Sequence, residues 1–240
     1  VEYSYDSMGR MLRRDNGSEV TTFVWDGWDL LSEETDSVVT TYLVPDGLVW
    51  SFLRGEEVFQ VHTDALGSVR VVTDSDGDVV ARFEFGAWGE LLPGSFDSVG
   101  LALRFVGGLG VRTDLEAGLL WMRHRWYDAE LQRFISRDPI GLEGGSNLYS
   151  YAEGMPQSVA DEMGLKTPFP APVRPQGRPT RGVHISPQMQ AEMMRISPAG
   201  YRAVMGAGQF NIPVRPGLGP VSLPSRSIQR PRQEDRKSVV

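Results

Sequence analysis

Two aspartates near the middle of this 240-residue chain open related pentapeptides. They are Asp138-Pro139-Ile140-Gly141-Leu142 and Asp161-Glu162-Met163-Gly164-Leu165, with the aspartates 23 positions apart. Two carboxyls that share a site can hydrolyse an amide without a metal. One, ionised, takes a proton from water; the other, protonated, polarises the carbonyl and supports departure of the nitrogen. Such a pair works because like charges held close cannot both ionise, which drives their proton affinities apart. Arg137, beside Asp138, is of the type that holds a carboxylate ionised or steadies a developing oxyanion. Its plainer role is a salt bridge to one of the many acidic groups. The plainer role for both aspartates is that of turn or cap residues.

The second pentapeptide ends where the chain changes character. Residues 1–165 carry 28 acidic against 12 basic residues, a net charge of −16, and 20 of the 23 aromatic residues. Residues 166–240 carry 3 against 12, a net charge of +9, and 12 of the 16 prolines. Paired aspartates on such a boundary point to processing there. The chain has no cysteine, which excludes disulfides and thiolate metal sites. No apolar run approaches the roughly 18–20 residues of a membrane-spanning helix. Val1 stands inside a repeat unit, so the chain reads as the end of a longer protein.

The elements that must position these residues are strands. Segments such as TTFVWDG, EEVFQVHTD, SVRVVTD and DGDVVARFEFG alternate or are rich in β-branched and aromatic residues. Asn16-Gly17, Asp46-Gly47 and Asp76-Gly77 predict turns between them. A unit aromatic-x-aromatic-Asp-x-x-Gly appears at Tyr3, Tyr5, Asp6 and Gly9. Weaker copies fall at Phe23, Trp25 and Asp26, at Asp64 and Gly67, and at Phe83, Phe85 and Gly89, where Gly86 takes the aspartate's place. A short period of this kind predicts units that bury their faces on one another. The aromatic pairs share a strand face and are expected to be packed.

Residues 121–165 resemble the closing core of the RHS (rearrangement hot spot) repeat proteins of bacterial polymorphic toxins, including the C subunits of Tc toxin complexes. Four motifs carry the resemblance: Arg125-Trp126-Tyr127-Asp128; Arg133-Phe134-Ile135-Ser136-Arg137-Asp138; the run from Gly144-Gly145 through Asn147-Leu148-Tyr149 to Tyr151; and Asp161 to Leu165. It extends back over residues 1–165. It implies a mainly β fold, with a spiralling antiparallel sheet of YD repeats over 1–120 forming part of a hollow shell. A core over 121–165 closes the shell, and a variable, largely irregular effector or tail occupies 166–240. It also implies an aspartyl autoprotease with Asp138 and Asp161 catalytic and the scissile bond between Leu165 and Lys166. Gly164 would permit the tight turn that brings Asp161 back to that bond. Glu162 stands where the family has proline, which brings a third carboxyl to the site.

The tail's composition is extended or irregular, apart from a helical stretch at 187–194 with Ser186 as N-cap. His184 with Glu192 is a candidate acid–base pair, and a lone loop histidine is its plainer reading. The charge of +9 favours an anionic contact: nucleic acid, an anionic membrane or the acidic shell itself. The residues call for no cofactor. The resemblance implies the chain's own tail as cargo, an upstream shell, an immunity protein and secretion machinery as partners, in a secreted or cell-surface setting in bacteria. One rival reading is a non-enzymatic surface protein whose repeats bind carbohydrate or another cell. Another is a decayed remnant whose core no longer cuts.

Overall fold

The computed structural model describes residues 1–165. Lys166, the helix expected at 187–194 and the candidate pair His184 and Glu192 lie outside the described residues. Ten strands follow one another in one antiparallel meander, each paired with its neighbours in sequence. They are β1 (Glu2–Tyr5), β2 (Met11–Asp15), β3 (Val20–Asp26), β4 (Asp29–Thr35), β5 (Val38–Leu43), β6 (Ser51–Arg54), β7 (Glu57–Thr63), β8 (Val69–Thr73), β9 (Val79–Arg82) and β10 (Phe96–Asp97). Alternation places side chains as expected of a half-buried strand. Along β3, Thr21, Phe23 and Trp25 are buried while Val20, Thr22 and Val24 face out. Asn16-Gly17 turns the chain between β2 and β3, and Asp76-Gly77 between β8 and β9. Asp46-Gly47 lies in a wider connection between β5 and β6, inside a short 3-10 turn with both residues at positive φ. The mainly β, antiparallel fold is as the sequence predicts.

The repeat aspartates build the turns. Asp6 Oδ1 accepts the amides of Met8 and Arg10, while Gly9 returns its amide to the Asp6 carbonyl. Asp64 does the same with Leu66, Ser68 and Gly67, and Asp74 with Asp76, Asp78 and Gly77. At Gly86, where the aspartate is missing, the Glu90 carboxylate folds back into its place. A Cβ on Gly86 would collide with Glu90 Oε1, and Glu90 Oε2 accepts the Trp88 amide at 3.0 Å.

A second, four-stranded antiparallel sheet packs on the first: β11 (Arg112–Thr113), β12 (Leu120–Met122), β13 (Arg125–Asp128) and β14 (Arg133–Phe134). Trp121 of β12 enters the apolar core of the large sheet and meets Trp25 edge-on, with ring centroids 5.5 Å apart. A second apolar cluster forms around Phe105, Tyr127, Phe134 and Tyr151. Buried ion pairs stitch the sheets together, with Arg14 on Asp114 at 2.6 Å and Arg112 on Glu33. Tyr3 meets Trp126 at a tilt, with ring centroids 4.8 Å apart, and Phe83 is fully buried, but Tyr5 is 40% exposed. This departs from the expected packing between neighbouring repeats. The β1 aromatics contact Trp126 and Trp121 of the second sheet instead.

Candidate active site

The site is built on the hairpin of β12 and β13, which turns at Arg123 with φ of +53°. Alternation along β13 points Arg125 and Tyr127 inward together. An inward arginine is tolerated only with partners for its charge and donors. Arg125, its side chain 2% exposed, finds them at once. Its Nη2 lies 3.0 Å from Asp138 Oδ2 and 3.4 Å from Asp161 Oδ2. Its Nη1 donates to the Leu148 carbonyl at 3.2 Å and its Nε to the Gly164 carbonyl. The guanidinium lies over the Phe134 ring, 3.6 Å from the centroid.

Both aspartates are therefore brought together, from loops 23 residues apart in sequence. Each spends one oxygen on its own turn. Asp138 Oδ1 accepts the Ile140 amide at 3.0 Å and Asp161 Oδ1 accepts the Leu165 amide at 2.9 Å. Each aims its second oxygen at Arg125. Asp138 is 8% exposed and Asp161 3%. Burial pushes the Asp161 carboxyl up to about 7. The Leu165 amide and Arg125 oppose that shift, and Glu162 and Asp138 add to it. Burial also loosens the proton on Arg125, against the pull of both carboxylates. A carboxyl that holds its proton near neutrality, beside a second one paired at 3.0 Å to a cation, is the division of labour that acid–base hydrolysis needs.

Arg137 is not among these residues. It is exposed, and its Nε reaches the Tyr149 hydroxyl at 3.3 Å. The arginine at the carboxylates is Arg125. Its signal in the sequence is a charge two residues from Tyr127, on the same face of an alternating strand. Gly144 belongs to the site through its lack of a side chain, since a Cβ there would come within 2.6 Å of Asp138 Oδ2.

The closing motif is held at the hairpin end. Arg123 Nη1 donates to the Glu162 carbonyl at 2.7 Å. The His124 amide donates to the Met163 carbonyl at 3.2 Å, and His124 Nδ1 lies 2.9 Å from the same oxygen. Gly164 has φ of +63°, and a Cβ on it would collide with the Met122 carbonyl oxygen. Only glycine fits both the conformation and the space. Among the described residues no group of His, Cys, Asp and Glu side chains is arranged to hold a metal ion.

Residues 1–148 match the family model of the Teneurin YD-shell. The chain belongs to the Teneurin YD-shell family. This YD-shell chain is similar to double-stranded DNA deaminase toxin A of Burkholderia cenocepacia, 29% identical over an alignment 199 residues long that covers 69% of this chain and 14% of the relative. It is 35% identical over 108 residues to toxin protein Tse5 of Pseudomonas aeruginosa, covering 45% of this chain and 8% of the relative. It thus spans only a small part of the length of either. Among solved structures, the Tc holotoxin pore of Photorhabdus luminescens with a variant TccC3 matches at a TM-score of 0.56 and 16% identity, over 70% of this chain and 9% of that one. The TcdB2–TccC3–TEV structure matches at 0.55 and 16%, over 68% and 9%. These likenesses show the YD-shell fold, and with the toxin relatives they bear out the RHS resemblance.

Proposed function

We propose that this YD-shell chain is part of an RHS-type toxin protein whose core cuts its own chain once, between Leu165 and Lys166. The cut frees residues 166–240 as effector. The observation that carries the reading is the convergence of Asp138 and Asp161 on one nitrogen of Arg125, with the Leu165 amide already bound to Asp161. Asp138 takes a proton from water, and the resulting hydroxide adds to the Leu165 carbonyl carbon while Asp161 protonates the oxygen. Collapse of the adduct returns that proton to Asp161 and breaks the C–N bond. The Lys166 nitrogen leaves with the proton that Asp138 took, and Leu165 keeps the new carboxyl group. Burial excludes bulk water and strengthens each electrostatic contact.

Intact mass of the purified protein tests this. Fragments 1–165 and 166–240 are expected from the native sequence. Asp138→Asn and Asp161→Asn should each give one uncut chain of 26.6 kDa. Asp64→Asn, which alters a turn of like chemistry in the sheet, should still be cut. Glu162→Pro should preserve or speed the cut. Cleavage of both core variants at the native rate would overturn the proposal. A second reading, an uncut core in which both aspartates are turn residues, is favoured by their Oδ1 bonds and predicts one uncut mass for every chain. The carbohydrate-binding rival has less support, because among the described residues only Tyr5 and Phe96 present strongly exposed rings.

A further inference from the structure

We propose that the hairpin end Arg123-His124-Arg125 is the subsite that sets where the cut falls, and that it keeps the closing segment docked afterwards. The proposal rests on the self-cleavage reading above. Three successive residues of the hairpin donate to three successive carbonyls of the closing motif: Arg123 to Glu162, His124 to Met163 and Arg125 to Gly164. Such a ladder fixes register, because a slip of one residue breaks every rung at once. Gly164 enforces the same register sterically, since its seat under the Met122 carbonyl admits no Cβ. With Met163 and Gly164 pinned, the Leu165 amide falls on Asp161 Oδ1 at 2.9 Å, which tethers the residue before the proposed cut to one of the two carboxyls. Holding a reacting bond in place is worth orders of magnitude in rate, and a displacement of about 1 Å costs up to about 100-fold.

The rungs all lie on the Leu165 side of the proposed cut. Hydrolysis gives Leu165 a carboxylate and Lys166 an ammonium, and disturbs none of them. The new end therefore stays on the core, and the part that departs begins at Lys166. Arg125 touches the carboxyls, whereas Arg123 and His124 act through the segment they hold and are positioning residues. Among these, His124 is the milder probe, since among the described residues its side chain bonds only the Met163 carbonyl and its ring otherwise meets Trp28 at 5.2 Å. Arg123 also donates to the Leu109 carbonyl at 2.8 Å, so its loss loosens the core as a whole. His124 is exposed, and with Nδ1 protonated its side chain donates to Met163.

The test compares native protein, His124→Ala and His124→Asn, each as the full chain. Asparagine can place its Nδ2 donor near the position of Nδ1, and alanine cannot. Expected for His124→Ala is self-cleavage about tenfold slower, with a second product ending one or two residues from Leu165 and an unchanged melting temperature. His124→Asn should restore the single product and most of the rate. Native-rate, single-site cutting by His124→Ala overturns the subsite while leaving the autoprotease intact. A native chain that is never cut sinks both. Hydrogen exchange tests retention: the His124 amide should be equally protected in the cut native chain and in uncut Asp138→Asn. Loss of that protection on cutting overturns docking of the closing segment.

Discussion

The turns of the sheet and the turns of the core are made from the same five-residue device. In Asp6, Asp64 and Asp74 one carboxylate oxygen takes the amides two and four residues ahead, and the glycine three ahead bonds back to the aspartate carbonyl. Asp138 and Asp161 keep the glycine bond but divide the rest. Asp138 holds only the amide two ahead and Asp161 only the amide four ahead. The carboxylates of the sheet turns are partly exposed. Those of the core are buried, and each aims its spare oxygen at the same arginine. Burial and one shared cation distinguish the pair in the core from the turns of the sheet, with little change in local backbone design.

The largest effect that would break this comparison is at the shared cation. Arg125→Ala leaves two buried carboxyls without their counter-charge and should cost about 3–5 kcal/mol in chemical unfolding. Arg10→Ala removes the corresponding partner of Asp6 at an exposed turn and should leave the unfolding curve nearly unchanged. Equal losses would mean that burial does not distinguish the two kinds of turn.

Next in size is a pH effect confined to the core. The Asp161 carboxyl is raised from 3.8 to about 7 by folding, so the folded state binds its proton more tightly than the unfolded chain. The contribution to stability is complete below about pH 4 and is lost as pH rises through about 7. In an Asp138→Asn background, where nothing is cut, melting temperature should fall across that window. Adding Asp161→Asn should flatten the fall, since asparagine keeps the acceptor for Leu165 and never ionises. Self-cleavage should slow above about pH 7 for the same reason, as the general acid loses its proton. An unchanged slope would place the proton elsewhere.

The smallest effect lies in the sheet. Glu90→Ala empties the place that an aspartate fills in the other units and frees the Trp88 amide, at a cost of about 1 kcal/mol in urea unfolding. Gly86→Asp in that background should recover most of it. Failure to recover would show that the Gly86 turn is not equivalent to the others.

What the sequence disclosed follows from the range of the interactions involved. The alternation of β3, the Asn16-Gly17 and Asp76-Gly77 turns and the aspartate turns are local, written in residues two to four apart, and they were legible. The two core aspartates were legible because they repeat a motif. Their arginine was misplaced: proximity in sequence suggested Arg137, whereas the fold supplies Arg125 from a strand paired with other strands. Glu90 in the aspartate's place and the wider connection at Asp46-Gly47 were missed likewise, because a side chain folding back is not encoded by spacing alone. Tyr5 was expected to be covered and is not, since its strand meets the second sheet at one side only.

The stitch of Tyr3 and Arg14 to Asp114 has a consequence for the order of assembly. The meander needs only contacts between successive strands, which close short loops and form early in a growing chain. Tyr3 and Asp114 are 111 residues apart and Arg14 and Asp114 are 100 apart, so these bonds wait until most of the chain exists. The second apolar cluster beneath Arg125 likewise draws on Phe85 and Trp88 from the connection between β9 and β10. The burial of the paired carboxyls is thus a late, long-range product of folding, completed only once the sheet they lean on has formed.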